Sequence, residues 1–452
     1  MEKLNAYRFK KFNNKYAVTT DQGTLTILTE KEFSSLQSRK ITNKLKQKLK
    51  KGSILVDDSN MGRAVAATAK KYSFLFKGAS LHIIVATLRC NMNCIYCQTS
   101  SKHTNKKGFD MGKDTARRTV DFIFQSPNNN ITIEFQGGEP LLNWPIVKYI
   151  IEYAENKNKA GKKNLLLTIV TNMTEMDTKK MDYLIFHKVN VCTSLDGPKK
   201  LHDLNRPFAE TSNYGIVAKW IRRFQQEYKK RGIKDRQINA IPTLTRQSLR
   251  YPKEIVDEYV RLGLNNIHLR FLHNLGVARK TWPKISYSPD SYLDFWKKAV
   301  QHISRLRKKG IDIKERIVSI ILDKINNDTD PGYLDLRSPC GAAIGQLLYN
   351  YDGSIYSCDE ARMIGEDIFM LGRVSTHSYR DVLSSHKALS IVNASINDQY
   401  ICDSCIYKPY CGICPVCNYA ENNNIIPKIS ESSTCKIYKA QFDHVLKENF
   451  IY

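Results

Sequence analysis

Cys90, Cys94 and Cys97 put three thiols within eight residues, directly after the apolar, β-branched run Leu81 to Leu88. Such a run predicts a buried strand. The thiols then sit on the loop leaving that strand, where barrel folds carry their chemistry. Three neighbouring thiolates with no local fourth suit a [4Fe–4S] cluster with one iron left open, as a catalytic metal keeps a free position for its substrate. Structural zinc sites show paired CxxC units, and here only Cys94 and Cys97 have that spacing. A disulfide framework belongs to secreted chains, and no secretory signal opens this one.

The second motif is Gln136-Gly137-Gly138-Glu139-Pro140, about 40 residues further on and also after a predicted strand. Consecutive glycines let a backbone approach a ligand, and Glu139 offers a carboxylate to an ammonium group. A plain Gly-Gly turn is the competing explanation. Polar residues at later strand ends, Asn172 and Ser194, stand where barrel sites form. Arg206, in Asn205-Arg206-Pro207, carries a planar fork that fits a carboxylate, unless it is a surface arginine. Cys192 lies inside a strand and reads as a small core residue, and His202 and His268 lack metal-ligand spacing.

Eight of the twelve cysteines fall in the last 113 residues: Cys340, Cys358, Cys402, Cys405, Cys411, Cys414, Cys417 and Cys435. Eight thiols are the number needed for two fully ligated [4Fe–4S] clusters, and zinc could use the same paired CxxC units. Asp359 follows Cys358 immediately; it is either a turn residue or a carboxylate that accepts a proton released on oxidation.

The elements that must position these groups alternate regularly. Strands are expected at 81–88, 130–135, 165–171, 190–195, 237–243 and 266–271, with helices near 112–125, 145–157, 177–186, 213–229 and 252–262. Six such units imply a parallel α/β sheet, short of the eight of a full barrel. Upstream, Lys15 to Thr20 and Gly23 to Leu28 read as a hairpin, and Thr29 with Glu32 forms a capping box opening a helix at about Glu30 to Leu36. The lysines at 44, 46, 48, 50 and 51 read as a solvated helix end. The expected units are therefore a small α+β domain at 1–52, a linker and helix at 53–80, the barrel at 81–272, a helical bridge at 273–335 with helices at 292–307 and 315–326, and a cysteine-rich domain at 336–452.

Hydrophobic content of 42% and charged content of 25% are ordinary for a globular protein. No run of 18 apolar residues is present, so no membrane span is expected, and the expected location is cytoplasmic. The net charge of +26 is uneven: residues 1–80 hold 17 Lys and Arg against six Asp and Glu. A basic front attracts acidic peptides or nucleic acid, but no helix-turn-helix, RNP or zinc-finger signature accompanies it.

CxxxCxxC with Tyr96 before the last cysteine resembles the signature of radical S-adenosyl-L-methionine (SAM) enzymes. The resemblance implies a partial (β/α)6 TIM-type barrel in which Cys90, Cys94 and Cys97 hold a [4Fe–4S] cluster and the open iron is chelated by SAM. The reduced cluster then cleaves SAM to a 5′-deoxyadenosyl radical. It further implies that Tyr96 lies near the adenine and that Gly137, Gly138, Glu139 and Pro140 hold the SAM amino group. Ser194 would meet the ribose or carboxylate, with Asn172 nearby and Arg206 on the carboxylate.

The tail resembles the SPASM domain, which carries two auxiliary [4Fe–4S] clusters. Cys402, Cys405, Cys411 and Cys435 match the outer cluster, and Cys340 and Cys358 match the inner one. The usual further cysteine near Leu334 is missing, so Cys414 and Cys417 together are expected to complete the inner set. Residues 1–52 loosely resemble a PqqD-like domain that binds a leader peptide along a sheet edge. Beyond these, the runs Thr87 to Gln98, Glu134 to Asn143, Glu254 to Gly263 and Tyr349 to Gly353 resemble the His-Xaa-Ser system radical SAM maturases of the HxsB type. That resemblance implies a ribosomally made peptide or small protein as substrate, a second radical SAM partner, and a reductant such as flavodoxin or ferredoxin. An anaerobic sulfatase-maturating enzyme shares the barrel and tail, and in such relatives an aspartate at the place of Asp359 acts as a base. A basic, non-enzymatic Fe–S or zinc protein that binds nucleic acid is the alternative of another class.

Overall fold

The computed structural model describes residues 2–209, 211–327, 336–426 and 428–451. The chain opens with an antiparallel meander, β1 (Tyr7–Phe12), β2 (Lys15–Thr20) and β3 (Leu25–Thr29). Gly23, at φ +97°, makes the turn between the last two, a conformation that favours glycine. Helix Glu30–Gln37 follows with the expected capping box between Thr29 and Glu32. One face of this sheet packs Val18 and Leu28 on Phe33, Leu36, Leu45 and Leu49 as a small core of its own.

The other face is joined to the rest of the molecule. Phe12 and Ala17 belong to the main core, Thr19 Oγ1 donates to Ile406 O at 2.8 Å, and Tyr410 Oη donates to Gly23 O at 2.7 Å. The segment expected as a small separate unit is thus bonded to the tail. The expected solvated lysines are also partly engaged: Lys46 pairs with Glu2, Lys48 with Glu32 and Lys50 with Asp57.

Five of the six expected barrel strands form one parallel array, each paired with the next along the chain. They are β4 (Leu81–Thr87), β5 (Asn130–Gly137), β6 (Asn164–Thr171), β7 (Asn190–Ser194) and β8 (Asn239–Ile241). Helices Lys113–Ile123, Trp144–Gly161, Thr178–Phe186, Asn213–Lys230 and Pro252–Arg261 alternate with them. Ile84, Ile133, Phe135, Ile169 and Val191 are buried. Strand β4 is buried along nearly its whole length and reads as one apolar run, whereas β5, β6 and β7 alternate buried with more exposed residues.

The sixth expected strand, 266–271, is shorter. Only Asn266–Ile267 is extended, and it pairs with Lys314–Glu315 outside the main sheet. Glu315 is the reason the ladder stops: its buried carboxylate takes the Leu269 N–H and caps helix Arg316–Asn326. Helix Pro289–Lys308 begins earlier than the expected 292, because Ser288 caps it and Pro289 fills its first position.

The tail extends the barrel's sheet, a feature the sequence pattern did not suggest. Strand β9 (Gln346–Tyr349) runs parallel to β4 along its other edge, and β10 (Ser354–Tyr356) and β11 (Met370–Arg373) add antiparallel. The result is an eight-stranded mixed sheet. Without β9, the edge of β4 would leave its backbone groups unpaired beside the cysteine loop.

Candidate functional site

The cysteine loop is clamped to the ends of three neighbouring strands. At the exit of β4, Thr87 Oγ1 donates to Asp110 at 2.6 Å, and Arg89 pairs with the same carboxylate at 2.7 Å. Gly138 N donates to Thr87 O at 2.9 Å and Glu139 N to Arg89 O at 2.8 Å. The glycines permit this approach: a Cβ on Gly137 would lie 2.3 Å from Thr87 O, and one on Gly138 2.2 Å from Arg89 O. On the side where a Cβ would stand, both glycines are packed against the backbone of the cysteine loop. Pro140 opens the short 3-10 turn Pro140–Asn143, and Asn143 Nδ2 donates to Ala86 O and Met111 O.

Glu139 stands differently from the open acceptor expected. Its side chain has no exposure, and its carboxylate accepts from Leu141 N at 3.0 Å, Thr171 Oγ1 at 2.7 Å and Asn172 N at 2.7 Å. Burial pushes it up to about 7 even against these donors. It joins the end of β5 to the end of β6. Asn172, held there, points its amide at Asn91 Oδ1 (3.1 Å) and Cys90 Sγ (3.8 Å).

The three thiols are half-buried and close enough for each to feel the charge of the others. Burial pushes Cys90 up to about 12 and Cys94 up to about 11. Burial acts the same way on Cys97, but hydrogen bonds from Ser101 and Thr99 outweigh it and hold this thiol below its usual range. Both hydroxyls lie 3.3 Å from Cys97 Sγ. Buried thiols of this kind give up their protons to a metal, whose charge offsets what desolvation costs.

Beside them Tyr96 and Arg206 form one buried network with Asp196. Tyr96 Oη donates to Asp196 Oδ2 at 2.7 Å, and Arg206 Nη1 donates to Tyr96 Oη at 2.7 Å. Arg206 is 7% exposed, which removes the surface alternative. Its Nε is buried without a partner among the described residues. Ser194, at the end of β7, is half-buried nearby on the adjoining strand. An unsatisfied guanidinium N–H and three neighbouring thiols together fit a group that brings a metal to the sulfurs and a carboxylate to the arginine.

The tail cysteines fall into two groups. Cys411 is flanked by Cys435, Cys405 and Cys402, while Cys358 has Cys414 and Cys340 as thiol neighbours and Cys417 hydrogen-bonds Cys414. The expected cysteine position near Leu334 lies outside the described residues. Asp359 accepts from Gln346 Nε2 at 2.8 Å, and Arg270 donates to Glu360 at 2.8 Å. The ligand atoms of Cys358, Asp359 and Glu360 lie within 4.8 Å of one another. Burial and Glu360 push Asp359 up, whereas Arg270 holds Glu360 down against its own burial. A carboxyl pushed up in this way favours holding its proton.

Cys192 and the histidines behave as ordinary polar or core groups. Burial pushes Cys192 up to about 12, and His202 bonds Asn213 at 2.8 Å. Sequence reasoning missed Asp196, Thr99, Ser101, Gln346 and Arg270, all of which act on the singled-out residues through space. Asp196, two residues after Ser194 in a strand-end turn, was the one with a visible signal.

Residues 84–258 match the model of the radical SAM superfamily. Among curated proteins, the chain is 24% identical over 376 residues to a cysteine-type anaerobic sulfatase-maturating enzyme of Clostridium perfringens, covering 81% of this chain and 95% of that one. It is 23% identical over 432 residues to the radical SAM cyclopropyl synthase TigE of Paramaledivibacter caminithermalis, covering 90% and 83%. Among solved structures it resembles native anSMEcpe with bound AdoMet and Kp18Cys peptide, with a TM-score of 0.70, 21% identity, and coverage of 82% of this chain and 97% of that one. Streptococcus suis SuiB bound to its precursor peptide SuiA gives a TM-score of 0.57 at 15% identity, covering 94% and 98%.

Proposed function

Because residues 84–258 match the model of the radical SAM superfamily, we propose that this chain is a radical SAM enzyme that matures a ribosomally made peptide or small protein, of the His-Xaa-Ser type, by abstracting hydrogen from one of its residues. The observation that carries the reading is the clamped loop, which gathers three half-buried thiols beside Arg206, whose Nε has no partner among the described residues, while strands of the cysteine-rich tail extend the same sheet. A [4Fe–4S] cluster with SAM on its open iron supplies reductive cleavage of SAM and hence a carbon radical. Cys90, Cys94 and Cys97 would hold that cluster, and Ser194 and Arg206 would hold the SAM carboxylate. Glu139 serves by fixing Asn172 and the loop. Tyr96 orients Arg206.

Cys402, Cys405, Cys411 and Cys435 would hold an outer auxiliary cluster, and Cys340, Cys358, Cys414 and Cys417 an inner one. The grouping of the thiols supports this division. Asp359, beside the inner set, would accept the proton that leaves the substrate, and the raised proton affinity of its carboxylate supports that role. The β1–β3 sheet supports a peptide-docking role: it is bonded to the tail, and the likeness to SuiB takes in 94% of the chain. Flavodoxin or ferredoxin would supply the electron, and a second radical SAM protein would act alongside.

The test is co-production with a small protein bearing His-Xaa-Ser repeats, followed by mass spectrometry. A crosslink or oxidation shifts the mass by loss of hydrogen. The second reading, formylglycine formation from Cys or Ser, is favoured by the similarity that spans 95% of a sulfatase-maturating enzyme. It gives an aldehyde on a sulfatase peptide instead. An unmodified His-Xaa-Ser protein with an aldehyde on the sulfatase peptide decides for the second.

A further inference from the structure

Helix Asp359–Ile364 carries an arginine that none of the chemistry above uses. Arg362 is 7% exposed, and its Nη2 donates to Thr99 O at 2.9 Å. Thr99 Oγ1 in turn lies 3.3 Å from Cys97 Sγ. Arg362 Nε is buried without a partner among the described residues. The titratable groups that face the guanidinium are Asp359, Cys97 and Tyr356. Of the acids nearby, Asp359 is taken up by Gln346 and Glu360 by Arg270. A full positive charge is therefore held out of water, tied to a backbone carbonyl of the cysteine loop rather than to a carboxylate. Burial of that kind is costly unless negative charge gathers close by.

We propose that Arg362 is a positioning residue that makes the cluster bound by Cys90, Cys94 and Cys97 easier to reduce, by holding its charge behind the Thr99–Cys97 contact. The inference rests on the reading of those thiols as a cluster site. Reduction adds one electron to the cluster and makes or breaks no bond, so a fixed cation nearby stabilises the product more than the reactant. Arg362 rides on the helix that begins just after Cys358. The tail thereby sets the potential of a centre that the barrel loop holds, and ties electron entry to correct docking of the tail.

The test is an EPR-monitored redox titration of the full chain, reconstituted anaerobically, with the signal of interest identified as the one that changes when SAM is added. In R362Q the ratio of reduced to oxidised cluster at a fixed potential falls roughly tenfold, which is about 59 mV for one electron. In R362K, which keeps the charge, the ratio stays within about twofold. An unchanged ratio in R362Q with full iron content overturns the proposal. So does an equal shift in R362Q and R362K, which would make charge irrelevant. So does loss of iron from both neutral variants, R362Q and R362M, which would make the residue structural. A wild type with no SAM-sensitive signal would defeat the reading of the thiol site itself, which the variants alone cannot do.

Discussion

Replacing Glu139 by alanine separates two roles that one motif could serve. If the carboxylate joins strand ends, its loss is structural. If it is a ligand for an ammonium group, its loss appears in binding alone. The side chain is fully buried and accepts three hydrogen bonds, from Leu141 N, Thr171 Oγ1 and Asn172 N. Bonds to a charged acceptor contribute about 1.5–3 kcal/mol each. Part of that is offset by the desolvation that pushes the group up to about 7. A net local loss of about 4 kcal/mol follows, or about three decades of exchange protection at the amides of Leu141 and Asn172. Native-state hydrogen exchange with peptide-level mass spectrometry reads this directly. In E139Q one oxygen keeps the Leu141 and Thr171 donors while the amide faces Asn172 N–H, so its loss is smaller, about 1–3 kcal/mol. Protection unchanged in E139A, with SAM affinity alone reduced, would refute the clasp and restore the carboxylate as a ligand.

Other outcomes follow from the same geometry. Burial pushes Glu315 up to about 7, above its usual 4.5, so the wild type loses stability relative to E315Q as pH rises from 4.5 through 7 and then levels off. The difference is about 3 kcal/mol. Melting curves of the two proteins at pH 5 and pH 8 check it, and a constant gap would contradict it. Alanine at Cys402, Cys405, Cys411 or Cys435 removes about four irons, and alanine at Cys340, Cys358, Cys414 or Cys417 removes a different four. C192A removes none, and full iron in C417A would make that thiol a spare. Y96F takes away the hydroxyl between Asp196 and Arg206, and costs about 1–3 kcal/mol in thermal unfolding because two buried charged groups lose a partner. An unchanged melting temperature would mean that water replaces the hydroxyl.

Much of the barrel was legible because its first strand is one apolar run, the next ones alternate cleanly, and helices Thr178–Phe186 and Asn213–Lys230 start at the readable caps Asp177 and Ser212. The run Leu81 to Leu88 gave β4 almost to the residue, and Thr29 with Glu32 gave the first helix. The sixth strand was overestimated because its sequence cannot reveal that Glu315, far along the chain, takes the Leu269 N–H. The docking of β9 on β4 was hidden for a similar reason: Gln346–Tyr349 is only four residues long, and a short apolar run does not announce its partner. Within the site, the positions of the thiols could be read from spacing alone. What the spacing could not give was the orientation of Glu139, which faces inward because three donors converge on it. Nor could it give the burial of Arg206, which depends on Tyr96 and Asp196 coming together from distant parts of the chain.

The central claim is that the Cys90, Cys94 and Cys97 thiols hold a cluster whose open iron binds SAM. Anaerobically reconstituted protein, given dithionite and SAM, should release 5′-deoxyadenosine and methionine, and C94A should release neither. Product from C94A at the wild-type rate, or none from a wild type that carries its full iron, would contradict the account.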